Sequence, residues 1–125
     1  MKFDEFVTEV ADRTGMGRDE AESLVRATLR TLAERLSGGE AEDLRAQLPK
    51  QLQPELIPPQ EEAQGFGVEE FARRVAARSG IDEADAGAGV VAVLSVIRDA
   101  VSPGEFDDVL SQLGRDFAEL VEAAP

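Results

Sequence analysis

The sequence predicts an all-α fold, a six-helix bundle built from two tandem three-helix repeats with pseudo-twofold symmetry. Three observations lead there. Residues 3 to 52 align with residues 68 to 117 at one constant offset of 65 without a gap, and sixteen of the fifty pairs are identical. Phe6, Val10, Arg13, Gly15, Leu29, Ser37, Glu40, Asp43 and Gln47, among others, recur as Phe71, Val75, Arg78, Gly80, Leu94, Ser102, Glu105, Asp108 and Gln112. Apolar residues return with a helical period in both copies, and helix stop and start signals fall at matching places between them.

Phe3, Phe6, Val7 and Val10 stand at i, i+3, i+4 and i+7, so residues 2 to 14 read as a helix with one apolar stripe. Gly15 follows as a left-handed C-cap. From Arg18, the set Ala21, Leu24, Val25, Leu29, Leu32 and Leu36 carries a second helix over five turns. Glu22 with Arg26 and Arg30 with Glu34 are spaced to pair on its wet face. Ser37-Gly-Gly-Glu40 is a capping box, in which the serine hydroxyl accepts an orphan N–H and the glutamate reaches back. Ala41, Leu44 and Leu48 give the third helix its buried edge, and Pro49 ends it.

Repeat one therefore covers residues 3–52, and Pro54, Pro58 and Pro59 mark residues 53–67 as an extended connector. Leu52, Leu56 and Ile57 are expected to fold back on the bundle. Repeat two covers 68–117: a helix over Val68 to Ser79, Gly80 as its stop, Asp82 as an N-cap, a helix to about Val101, and a second capping box at Ser102-Pro-Gly-Glu105. Gly114 replaces the stopping proline, so the last helix is expected to run on to residue 123. Residues 86 to 97 carry no charge on any face, which predicts a helix enclosed by the others. A fifty-residue half is marginal alone, so a single domain over residues 1–125 with a shared core is expected.

Composition excludes more than it offers. The net charge is −13, divided as −4 over residues 1 to 60 and −9 over 61 to 125, and an acid excess of this size disfavours the phosphate contacts on which nucleic-acid and anionic-membrane binding depend. Histidine and cysteine are absent, which removes imidazole bases, thiolate nucleophiles, disulfides and the metal sites built from them. The longest uncharged apolar stretch, residues 86 to 97, is too short to span a bilayer. A water-soluble, cytoplasmic protein is expected.

Candidate motifs each meet a plainer reading. Gly87-Ala-Gly89-Val-Val-Ala92 spells a dinucleotide fingerprint, yet no strand precedes it, and glycines there serve close helix approach. Asp82-Glu-Ala-Asp85 begins like a calcium loop but has Val93 where the bidentate glutamate belongs. Acidic clusters such as Glu40-Glu42-Asp43 and Asp107-Asp108 read as solvated helix faces. Ser37 and Ser102 have no base to activate them and read as caps. Arg73, Arg74 and Arg78 form the one basic concentration, and Glu69 and Glu70 stand four residues before Arg73 and Arg74, which reads as a neutralised helix face. The six phenylalanines are expected in the core.

The doubled pattern F-x-x-x-V-A-x-R-[ST]-G, followed by Leu36-Ser37-Gly-Gly-Glu40 and Ala46-Gln47-Leu48-Pro49, resembles the small prokaryotic helical family called domain of unknown function 2267. The resemblance covers essentially the whole chain and implies two three-helix repeats. It transfers no activity and no site residue. Relatives often carry an aromatic-rich stretch after Leu-Pro, whereas this chain has Lys50 to Ile57. The expectation is a non-enzymatic protein-interaction module with an unidentified protein partner, a second copy of the chain being one candidate. No catalytic, cofactor-binding or metal-ligating residue and no cofactor is assigned. The alternative is a binding protein for a small apolar or lipid-like ligand between helices, for which Gly87 and Gly89 would make room. An enzyme with a site made only of carboxylates is the third class.

Overall fold

Seven α-helices and one 3₁₀ helix make up the computed structural model, which describes residues 1–124; no strand occurs among the described residues. They are α1 (Phe3–Thr14), α2 (Arg18–Arg35), α3 (Gly38–Gln47), the 3₁₀ helix (Lys50–Glu55), α4 (Val68–Ser79), α5 (Glu83–Ala100), α6 (Pro103–Leu113) and α7 (Arg115–Ala123). The all-α class stands, and the helix starts and stops lie within a residue or two of the sequence signals. Gly15 and Gly80 sit at φ 75° and 76°, and their N–H groups donate to Ala11 O and Ala76 O to close α1 and α4. Asp82 caps α5 by accepting the Ala84 N–H at 2.9 Å.

One cluster of buried side chains draws on both halves, including Phe6, Leu24 and Leu29 from the first and Phe71, Leu94 and Phe117 from the second. The long helices α2 and α5 lie against each other, and Gly89 is a point of close approach. A Cβ built there would lie 2.7 Å from Leu24 Cδ2, closer than real carbon atoms approach. The glycine exists to admit Leu24, whose own counterpart at the 65-residue offset is Gly89 itself. Gly87 has open space beside it, so only one of the two α5 glycines serves the contact.

The first helix of each half reaches across to the long helix of the other. Arg13 of α1 meets Asp99 of α5 at 2.7 Å, and Arg78 of α4 meets Glu34 of α2 at 2.6 Å. At the 65-residue offset these are one pair made twice. The hydrogen bond from Arg78, with Arg74 adding at 3.3 Å, holds the Glu34 carboxyl below its usual range. Because Glu34 is engaged across the bundle, the expected Arg30–Glu34 pair does not form, and Arg30 binds Glu55 at 2.9 Å instead. The Glu22–Arg26 pair is present at 3.1 Å.

Further expectations are corrected. The last helix does not run on: it breaks at Gly114, whose φ of 98° and ψ of 178° are open only to glycine. The break turns α7 back so that Phe117 and Val121 are buried, and Phe117 meets the Phe71 ring edge-on at 5.4 Å. Arg35 makes the break affordable by donating to Gln112 O and Leu113 O, both at 2.8 Å, and to Phe66 O at 2.9 Å.

The connector is not wholly extended, since the 3₁₀ helix buries Leu52 and Leu56 while Ile57 stays 62 % exposed. Leu52 and Leu56 stand at the offset positions of Phe117 and Val121, all four buried. The 3₁₀ helix thus does in the first half what α7 does in the second. Nor is α5 enclosed all round, for Ala88 is exposed and Val91 and Ala92 are half-buried. Of the six phenylalanines, Phe3 and Phe66 are only half-buried, and the guanidinium groups of Arg26 and Arg74 cover their rings at 5.5 and 3.9 Å. No helix among the described residues is long and apolar enough to cross a membrane.

Candidate functional site

The two capping boxes form, but each is completed by the other half of the chain. Ser37 Oγ accepts the Glu40 N–H at 3.3 Å, and Ser102 Oγ accepts the Glu105 N–H at 3.2 Å, as the motif requires. The return bond is where the structure departs from the sequence expectation. Ser37 N–H donates to Gln112 Oε1 at 2.9 Å, and Ser102 N–H donates to Gln47 Oε1 at 2.7 Å. The amide nitrogens of the same glutamines donate to the serine hydroxyls at 3.0 and 3.4 Å. Ser37 and Ser102 are therefore caps, each gripped by a glutamine from the opposite third helix.

This exchange releases Glu40 and Glu105 from their usual duty. Their carboxylates turn toward each other between α3 and α6, and with Asp108 they offer three oxygens that all lie within 4.8 Å of one another. Glu105 is only 9 % exposed. Glu40 Oε1 and Glu105 Oε2 are buried and have no hydrogen-bond partner, a costly arrangement unless a proton or cation joins them. Burial, then the Glu105 carboxyl beside it, then the charges of Asp108 and Asp43 push the Glu40 carboxyl up to about 8.

Sequence reasoning treated Glu40 and Asp108 as parts of solvated faces and Glu105 as a cap, and so missed that they meet. A signal was available. Glu40 and Glu105 stand at the same place in the 65-residue offset, as do Asp43 and Asp108. Arg74 and Arg78 converge on Glu34, while Glu70 takes Arg74 at 2.8 Å and Arg73 as well, leaving the arginine concentration neutralised. Asp82 is spent on its cap and Gly89 on Leu24. Chemically, the Glu40–Glu105 junction can hold a proton or a hard cation.

A pH dependence follows. The folded-state affinity of Glu40 for a proton is raised from 4.5 to about 8, so the native state binds more protons than the unfolded chain between those values. The contribution is fully present below about pH 4.5 and is lost as pH rises through about 8. Glu40→Gln, which keeps the shape without the titration, is expected to melt higher than the parent at pH 8.5 and at the same temperature near pH 4.5. Thermal melts at the two pH values check this, and an equal gap at both would refute it.

No curated protein matches the chain. A family model does match, over residues 3–120, covering both halves and the glutamine-serine exchange. The chain therefore belongs to the family described as Uncharacterized conserved protein (DUF2267).

Proposed function

We propose that this chain is two interlocked three-helix repeats related by an approximate internal twofold, forming a cytoplasmic, non-enzymatic interaction module that pairs with a second copy of itself. The observation that carries the pairing is the uncovered face of α5. Ala88, Val91 and Ala92 follow one another at helical spacing and, with Arg13, Ala124 and the buried Ser95, line a groove of about 270 Å³. Small side chains in such a row let a second helix come close.

The charges at its two ends favour a copy of the same helix laid antiparallel. Asp85 lies one turn before Ala88, and Arg98 lies one turn beyond Ser95. An antiparallel contact centred on Val91 and Ala92 sets Asp85 opposite the second copy's Arg98 at both ends, as a closed twofold interface requires. The reading of a small apolar ligand between helices has less behind it, because Leu24 already fills the space at Gly89.

Light scattering at high micromolar concentration tests the pairing. A dimer is expected, tighter at high NaCl because each copy carries a net charge of −13. Ala92→Glu is expected to give a monomer with an unchanged melt at low concentration. A parent protein that remains monomeric at high salt contradicts the reading.

A further inference from the structure

We propose that the junction of α3 and α6 is a binding site for a hard divalent cation of calcium size, held by Glu40, Glu105 and Asp108. The reading is independent of self-pairing through α5. Acidic residues collected on helix faces need no ion, and most here have none to explain. This group differs in one respect: Glu105 is 9 % exposed, one of its oxygens lies in the cluster, and its Oε2 is buried with no hydrogen-bond partner. Glu40 Oε1 is also buried and unpartnered, although the residue as a whole is half-buried.

A shared proton would join those two oxygens and leave Asp108 to solvent. A divalent cation gathers all three and offsets two charges. Three carboxylates gathered in one place suit calcium, which takes many oxygen ligands, better than the smaller magnesium, which keeps several waters and takes one or two carboxylates. Water completes the shell, since Asp108 is exposed and opens the site to solvent.

Because α3 and α6 come from opposite halves, a bound ion would clasp the two together and raise the melting temperature with its concentration. The test uses the full chain, stripped with a chelator, in calorimetric titrations with CaCl2 and MgCl2 at pH 7.5 and moderate NaCl, followed by thermal melts. One calcium per chain is expected, with a dissociation constant at or below about 1 mM and weaker binding at pH 6, where protons compete. Glu105→Gln is expected to weaken calcium at least about tenfold, while Asp19→Asn, at an exposed acid far from the junction, leaves it unchanged. Should Glu105→Gln fail to fold, Asp108→Asn, at the exposed member of the group, decides by the same titration and is expected to weaken calcium as well. Absence of calcium heat and of any melting shift, or an equal loss in Asp19→Asn, would overturn the site. Magnesium binding as tight as calcium would overturn the size assignment.

Discussion

Gly89→Leu is expected to destabilise the protein by about 1 to 3 kcal/mol, and Leu24→Ala by about 2 to 5 kcal/mol. The double variant is expected to cost less than their sum by at least about 1 kcal/mol. The two positions face each other across the α2–α5 contact, and Leu24 is fully buried. A leucine at 89 has nowhere to go while Leu24 is present. An alanine at 24 leaves a void that a leucine at 89 can enter from the other side. Urea denaturation of the four proteins measures the cycle, and strict additivity would mean that the two side chains do not compete for one space. For Gly89→Leu the overpacking is offset in part by the roughly 1 kcal/mol that replacing a helical glycine returns in propensity.

Arg35→Ala is expected to cost about 2 to 4 kcal/mol, less than three independent charge-assisted hydrogen bonds because the side chain is half-buried and its bonds are not additive. Its guanidinium holds Gln112 O, Leu113 O and Phe66 O at once. It also lies 5.8 Å from the Phe117 ring centroid. Removing it strands two helix-end carbonyls at the α6–α7 break and frees the connector. Arg35→Lys is expected to recover less than half of the loss, since a single ammonium cannot present a planar fork to three acceptors. Hydrogen exchange should localise the damage, with faster exchange in α7 than in α1. Uniform loss across the chain would contradict a clamp at that break.

The helices were legible because their signals are local. Gly15, Gly80, Asp82, Ser37 and Ser102 each act on backbone groups a few residues away, and each does what its motif says. Interactions between the halves were not legible. Glu40 reads as the return arm of a capping box until Gln112 arrives from the opposite repeat to take that bond. Gly114 reads as a permissive link within a helix, and only Arg35, far away in sequence, makes the turn there stable. The uncharged stretch of α5 was read as a sign of complete enclosure, and the structure leaves Ala88 and its neighbours open because α1 and α4 cover only part of the circumference. What the repeat offered for the site went unused: Glu40 and Glu105 are identical residues at the constant offset.

The interlocking of the halves is the claim on which the fold, the junction and the α5 face all depend. Fragments 1–60 and 61–125, made separately, test it most directly by circular dichroism. Each alone is expected to show little helix and no cooperative melt, whereas an equimolar mixture is expected to regain the helical signal and melt in one transition. A fragment that folds by itself with its own cooperative melt, or a mixture that gives only the sum of its parts, would contradict the account.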